Sequence, residues 1–142
     1  MQNQIIRSGV ADLLIPAAHG AVTGFDFFLD VEEDEMIVEF DFQGVAIATG
    51  VGPITGGFLL DGVAVAGGPV FNKTVVAADA VPISFHWSQK VTKGSHRVQL
   101  ALGDATAGVL DSSAFPQVLT VRRYSNSLAL SRHAIEKRVG LV

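Results

Sequence analysis

The sequence contains no cysteine among its 142 residues. This absence excludes disulfides, thiolate zinc sites, iron-sulfur clusters and cysteine nucleophiles, and it agrees with synthesis in a reducing compartment. Charged residues are also scarce, at 17% of the chain, whereas an average soluble domain has about 25%. Because 49% of the residues are hydrophobic, a single copy has little charge with which to cover its surface. Subunit interfaces are therefore the expected place for the surplus apolar area.

Long hydrophobic runs are absent as well. No apolar stretch approaches the roughly 18 residues that a membrane span requires, so no membrane partner is expected. The first residues lack the basic start and apolar centre of a secretory signal, which predicts that folding begins near Met1. A chain of this length is expected to form one domain.

The formal net charge of −4 is unevenly distributed along the chain. Residues 24–41 hold a series of acidic side chains and no lysine or arginine, whereas basic residues dominate from Arg122 onward. A nucleic-acid-binding protein would show a larger basic excess, so no nucleic-acid partner is expected. The segregation suggests instead that the acidic part of one subunit meets the basic tail of another subunit, or of a different partner.

Alternation of apolar and polar residues with a period of two dominates the sequence and is typical of half-buried strands. Two alternating runs in residues 25–42 predict a hairpin, in which Val31 faces Met36 and Phe25 faces Phe42. The acidic run would then form the tip of the hairpin. Beyond Phe42 the pattern predicts a phase slip at Gln43-Gly44, after which Val45 and Ile47 would point inward.

Turn signals divide the rest of the chain into further short strands. Asp61-Gly62 predicts a tight turn between two apolar runs, and Lys93-Gly94 and Gly103-Asp104 predict turns later on. About eight to ten strands with no long helical pattern predict an all-β, single-domain antiparallel β-sandwich or jelly roll over residues 1–124. Residues 125–142 are expected to form a basic C-terminal tail, with a short helix over 127–138 or an extended arm that orders on docking.

Residues that could carry chemistry are few. The four histidines lack the close spacing that places two metal ligands on one face, and the acidic run lacks the Asp-x-Asp-x-Asp-Gly pattern of a calcium loop. No nucleophile elbow, Walker A motif or dinucleotide glycine motif occurs. We therefore expect no catalytic residue, no cofactor and no metal. A calcium ion at the acidic run and a glycosidase-like pair of carboxylates stay open as alternatives.

One short stretch, "KGSHRVQLAL", places His96 beside Arg97 after Gly94 and Ser95. This pair resembles a catalytic combination, but His96 shares a strand face with the apolar residues Val98, Leu100 and Leu102. We therefore expect Gly94 and Ser95 to turn the chain into a strand. His96 is expected to be a hydrogen-bonded structural histidine at the start of that strand.

Four segments occur in a characteristic order in the second half of the chain: "FLLDGVAV", "VPISFHW", "GSHRVQL" and "PQVLTVR". This order resembles the C-terminal portion of compact jelly-roll modules in structural proteins of tailed bacteriophages, and it covers residues 58–124. Such modules are similar to the trimeric fold of C1q and tumour necrosis factor. The resemblance implies a virion protein, such as a head decoration, a fibre head or a piece of the tail tip, with no transferable catalytic set.

Together these features predict a non-enzymatic, homotrimeric capsid decoration (cement) protein, made in the host cytoplasm and located on the virion. Its expected partners are further copies of itself and the major capsid protein or another virion subunit. The alternative is a receptor-binding or carbohydrate-binding domain at a fibre or tail tip, although Trp87 and most phenylalanines alternate in phase with the core. A small β-barrel enzyme acting on sugars is a third possibility. The residues predicted to contact partners are Glu32, Glu33, Asp34, Glu35, Arg132, His133, Lys137 and Arg138.

Overall fold

A computed structural model describes residues 3–9, 12–77, 80–104, 108–111 and 117–125 of the protein. These residues form an antiparallel β-sandwich of the jelly-roll type, which confirms the predicted fold class. All strand pairs are antiparallel. The nine strands are β1 (Asn3–Gly9), β2 (Leu13–Leu14), β3 (Gly20–Ile47), β4 (Gly52–Leu60), β5 (Val63–Ala64), β6 (Phe71–Val75), β7 (Ala80–Asp104), β8 (Val109–Asp111) and β9 (Gln117–Ser125).

Two unusually long strands organise the molecule. β3 has 28 residues and β7 has 25, and they pair with each other from Gly20 and Leu102 at one end to Ile47 and Ala80 at the other. The rings of Phe25 and Phe42, both on β3, lie 5.7 Å apart. A straight strand would separate these residues by roughly 55 Å. The two-stranded ribbon formed by β3 and β7 therefore folds back on itself.

The ribbon bends where its register shifts. Val31 pairs with Gly94 and Glu35 pairs with Thr92, so residues 32–34 of β3 lie opposite Lys93 alone. Unequal strand lengths of this kind bend a ribbon and increase its twist. Gly94 has a φ of +136°, a backbone conformation that other residues rarely adopt. The acidic residues thus lie on the outer side of a bend.

The bend divides the ribbon between the two layers of the sandwich. In the first layer, residues 35–47 of β3 lie between residues 80–92 of β7 and strand β9, and β1 extends the layer beyond β9. In the second layer, the other half of β3 pairs with the other half of β7, which in turn pairs with β4. β5 and β6 both pair with β4.

An aromatic cluster joins the layers at their centre. Phe58 of β4 lies 5.3 Å from Phe40 and 5.2 Å from Phe85, measured between ring centroids, and the latter two belong to the first layer. Phe85 also lies 5.5 Å from Phe42 and 5.7 Å from Phe71. Ring contacts of this kind combine apolar burial with favourable ring geometry. Phenylalanine side chains from β3, β4, β6 and β7 therefore connect the two layers at their centre.

The predicted hairpin in residues 25–42 is wrong. The apolar residues of both runs are buried as the alternation predicted, but they belong to one strand and find their hydrogen-bonded partners on β7. Val31 faces Gly94 and Met36 faces Val91. The phase inversion that suggested a turn is produced by the bend. The predicted turn at Lys93-Gly94 is wrong for the same reason, because β7 runs through the bend without ending.

The predicted phase slip at Gln43-Gly44 is also wrong. Ala46 and Ala48 are buried, whereas Val45 and Ile47 are only half-buried. A Cβ atom on Gly44 would lie 3.0 Å from the ring of Phe42. Glycine at this position therefore makes room for a neighbouring ring within an uninterrupted strand.

The predicted turn at Asp61-Gly62 is confirmed. It connects β4 to β5, and both residues have positive φ, at 53° and 80°, as expected for a tight hairpin turn. The division into a domain at residues 1–124 and a tail at 125–142 stays a prediction, and the helix proposed for residues 127–138 lies outside the described residues. Within the described part of the chain, no helix has the length and apolar character needed to cross a membrane.

Substituting Gly56→Ala tests the packing of the aromatic cluster. The new Cβ atom would clash with the ring of Phe85, which its aromatic neighbours hold in place. We expect a loss of about 2 kcal/mol in the free energy of unfolding, measured with urea, because overpacked interiors relax only at a cost. Gly68→Ala is the matched control, since nothing lies within 4 Å of its Cβ, and it should change stability by less than about 1 kcal/mol. Equal effects of the two substitutions would contradict the packing described.

Candidate binding surfaces

The turn at Asp61 docks onto β7 beside the His96-Arg97 pair. The backbone N–H of Asp61 donates to the carbonyl of Arg97 at 2.8 Å. In return, the backbone N–H of Arg97 donates to Oδ1 of Asp61 at 2.9 Å. This arrangement extends the pairing of Leu60 with Val98 by one further contact. The turn between β4 and β5 is thereby fixed on the strand that carries both candidate catalytic residues.

His96 uses both ring nitrogens for hydrogen bonds. Its Nδ1 lies 2.6 Å from Oδ2 of Asp61, and its Nε2 lies 2.7 Å from the carbonyl oxygen of Thr92. A carboxylate and a carbonyl can only accept, so both ring nitrogens act as donors in the protonated imidazolium. Partial burial opposes the charge, but the hydrogen bonds to Asp61 and Thr92 outweigh it and raise the pKa of His96. The predicted hydrogen bonding of His96 is confirmed, but the predicted position is wrong, because His96 lies within β7 and not at the start of a strand.

Arg97 forms a two-point ion pair with Asp26 across the ribbon. Nε donates to Oδ1 at 3.0 Å, and Nη2 donates to Oδ2 at 2.5 Å. These hydrogen bonds lower the pKa of Asp26, so its carboxylate is ionised at neutral pH. A fixed ion pair is a poor proton donor or acceptor. His96 and Arg97 therefore each have a separate acidic partner and hold strands together.

An exposed aromatic side chain lies next to this ion pair. Phe28 of β3 is 68% exposed and stands directly opposite Arg97 in the strand register. Asp26 and Asp30 flank it on the same face, two residues away in each direction. Sequence reasoning concentrated on the phenylalanines in phase with the core and missed this one. The signal was its position between two aspartates, on the polar side of the alternation.

The acidic residues predicted to contact partners cluster at the ribbon bend. Glu32, Glu33 and Asp34 are exposed, and Glu35 is half-buried. Ser125 donates to Oε1 of Glu33 at 3.0 Å, and Nζ of Lys90 lies 3.7 Å from Oε1 of Glu35. The role of these acids in partner binding stays a prediction. The other predicted contact residues, Arg132, His133, Lys137 and Arg138, lie outside the described residues.

Part of the expected charge complementarity is satisfied within one chain. Nη1 of Arg122 on β9 lies 3.4 Å from Oδ2 of Asp41 and 3.8 Å from Oε2 of Glu39, both on β3. The hydroxyl of Tyr124 donates to the same Glu39 oxygen at 3.3 Å. The acidic and basic segments were expected to meet between subunits or with a different partner, and the structure shows that they also meet within one chain, because β9 lies directly beside β3 in the sheet.

An uncharged groove crosses the outer face of the first layer. Its volume is about 560 Å³, and residues of three adjacent strands line it: Gln43, Gly44, Val45, Pro82, Ile83, Ser84 and Val118. The lining includes no charged side chain, no histidine and no aromatic ring. The next outward-facing row along the strands contains Asp41, His86 and Thr120. The groove thus combines an apolar centre with a polar margin.

Metal binding by clustered side chains finds no support in the described residues. Across the ranges that the structure covers, no three histidine, cysteine, aspartate or glutamate side chains lie close enough together to hold an ion. The acidic bend therefore differs from a preformed calcium loop, in which several oxygen ligands converge on one point.

No family model and no curated protein sequence matches the chain. Among solved structures, dimeric latent PorU from Porphyromonas gingivalis matches with a TM-score of 0.47, 9% identity and coverage of 87% of this chain and 13% of that one. The CBM35 of Cellvibrio japonicus Abf62 matches with a TM-score of 0.45, 13% identity and coverage of 87% and 99%.

A third match is a chain of the T13 IBDV viral particle, with a TM-score of 0.42, 9% identity and coverage of 87% of this chain and 36% of that one. The protein spans 13% of the latent PorU chain. Identities this low transfer neither a ligand nor a partner to the chain.

The protonation of His96 predicts a dependence of stability on pH. The pKa of His96 is raised on folding above its ordinary value of 6.5. The stability that the protonated ring contributes is therefore complete below about pH 6.5 and is lost as the pH rises through the folded pKa. We expect His96→Gln to lose about 1 kcal/mol relative to wild type at about pH 5.5 and progressively less at higher pH. Urea unfolding across this range measures the difference.

The control is the same substitution in an Asp61→Asn background. Asparagine tolerates the positive φ of this turn, so the backbone contact is kept while the carboxylate is removed. In that background the pH-dependent part of the His96→Gln effect should largely disappear. A pH dependence that persists unchanged without the carboxylate would show that the His96-Asp61 pair is not its source.

Proposed function

We propose that the protein is a non-enzymatic structural component of a tailed-phage virion, acting as a homotrimeric capsid decoration protein. The uncharged groove on the first layer carries this proposal. Protein interfaces commonly have an apolar centre from which charged residues are depleted, surrounded by a polar margin. The groove has this composition, and a second copy of the chain is its proposed occupant.

The composition of the whole chain supports assembly. With 49% hydrophobic and only 17% charged residues, the protein gains from burying further apolar area between subunits. A closed ring of identical subunits buries equivalent patches on every copy. The order of segments in residues 58–124, which resembles phage jelly-roll modules, supports the same conclusion.

Attachment to the virion is assigned to the acidic bend and the basic tail. Glu32, Glu33 and Asp34 project from the bend into solvent, where they can meet a basic surface of the major capsid protein or another virion subunit. Three copies would present three such contacts at once, which raises the overall affinity through effective concentration. Arg132, His133, Lys137 and Arg138 are the proposed contacts of the tail.

A second candidate function is receptor binding at a fibre or tail tip. The exposure of Phe28 favours it, because an aromatic ring on a strand face is a frequent means of ligand recognition. This candidate uses the second layer and is compatible with trimer formation through the first.

Substituting Ser84→Arg tests the groove as a subunit contact. Ser84 is exposed on the free protein, so the change should leave folding intact while placing a charge inside the proposed interface. We expect wild type to have three times the 14.9 kDa mass of one chain by light scattering, also at high salt. The variant should be monomeric at micromolar concentration, because a buried unpaired charge opposes association.

Ser88→Arg is the matched control for this experiment. Ser88 is also exposed and lies on the same face of β7, four residues away along the strand and outside the groove lining. It should leave the trimer intact. A wild-type monomer that also fails to bind assembled capsids would overturn the proposal, and a trimer unaffected by Ser84→Arg would move the interface away from the groove.

A further inference from the structure

The second layer carries a surface that the assembly proposal does not use. Phe28, within the long strand β3, exposes 68% of its surface. An apolar ring in contact with water contributes no burial energy to the fold. The side chains of Arg97 and Asp26 beside it are themselves 48% and 39% exposed. An exposed aromatic ring within a group of exposed polar side chains is an informative departure from ordinary surface composition.

We propose that Phe28, with Asp26, Asp30 and Arg97, forms a binding site for a neutral saccharide. The ring offers an apolar surface on which the C–H face of a pyranose can stack. The carboxylates accept hydrogen bonds from sugar hydroxyls, and the guanidinium of Arg97 donates to them. The flat apolar ring and the fixed polar groups are therefore complementary to the C–H face and the hydroxyl groups of a sugar.

The site is organised before any ligand binds. Arg97 is held by its two contacts to Asp26, at 3.0 and 2.5 Å, and by the hydrogen bonds between its backbone and Asp61. Phe28 lies on the paired part of the ribbon, opposite Arg97 in register. A ligand therefore meets side chains whose backbone is already fixed by the sheet, which lowers the entropy cost of binding.

Charge selects the class of saccharide. Arg97 is matched by Asp26, and Nη1 of Arg123 donates to the backbone carbonyl of Asp30. The acidic bend begins two residues further along, where Glu32, Glu33 and Asp34 are exposed, and these carboxylates make this edge of the sheet net negative. Sialylated and sulfated glycans would be repelled by these carboxylates. Neutral hexopyranoses fit the site best.

The same charges disfavour a second copy of this chain as the occupant of the site. Interface centres are depleted of charged residues, whereas Phe28 is surrounded by them. The groove proposed for assembly lies in the other layer and shares no residue with this site. The saccharide site is therefore independent of the proposed trimer, and either can fail without the other.

The test is binding of the full-length protein to an array containing neutral, sialylated and sulfated oligosaccharides, followed by calorimetric titration of the best neutral one. We expect binding to neutral glycans only. Phe28→Ala should weaken it at least tenfold, and Phe28→Trp should retain it. Val51→Ala is the control, since Val51 is 72% exposed and lies before β4, at the end opposite the Asp61 turn; it should bind like wild type.

Any of three results would overturn the proposed saccharide site. The protein could fail to bind every neutral glycan, it could bind acidic glycans alone, or Phe28→Ala could bind with the same affinity as wild type. The mass of the Phe28→Ala assembly is measured in parallel and should match wild type. If that variant dissociates and no glycan binds, Phe28 is a subunit contact and the saccharide site is overturned. If wild type is itself not a trimer, the assembly proposal fails, but the glycan-binding result still tests the saccharide site.

Discussion

A two-stranded ribbon with one apolar face must find something to cover that face, and here the ribbon covers itself. β3 and β7 pair over almost their whole lengths, and an isolated pair of strands is at best marginally stable in water. By bending at residues 31–35 the ribbon places Phe25 over Phe42. The remaining strands extend the two layers that this bend creates. The bend thus determines which residues form the core between the layers and which faces of the strands point outward.

The period-two pattern predicted which residues are buried but left their partners undetermined. Alternation reports the face on which a side chain lies, and it is the same whether a phase inversion comes from a tight turn or from a bend. The run from Glu32 to Glu35 resembled a hairpin tip, and Lys93-Gly94 resembled a second turn. The structure sets these two segments opposite each other in one bend, a juxtaposition visible only when the long strands are paired. Asp61-Gly62 was predictable because its turn chemistry is local.

The candidate sites likewise differ in how much of each could be predicted from the sequence. The hydrogen bonding of His96 could be predicted from its own strand, although its partner Asp61 lies 35 residues away and is brought near by the pairing of β4 with β7. The ion pair of Arg97 with Asp26 spans 71 residues and depends on the register of the ribbon. The exposure of Phe28 could have been predicted, because it lies on the polar side of the alternation. The groove could not be predicted, since it arises from three strands whose order the sequence does not determine.

The acidic residues of β3 also affect the chain while it is being synthesised. β3 is translated long before β7, so its row of phenylalanines and aliphatic residues exists for a time without the strand that pairs with it. Strands of this composition readily associate with one another in nascent or unfolded chains. Asp26, Asp30, Glu39 and Asp41 occupy the opposite face of the same strand, and their mutual repulsion opposes such stacking. Asp26 later pairs with Arg97, and Glu39 and Asp41 pair with Arg122, but all four acids first lie where gatekeeper residues lie, beside an apolar strand that has not yet found its partner.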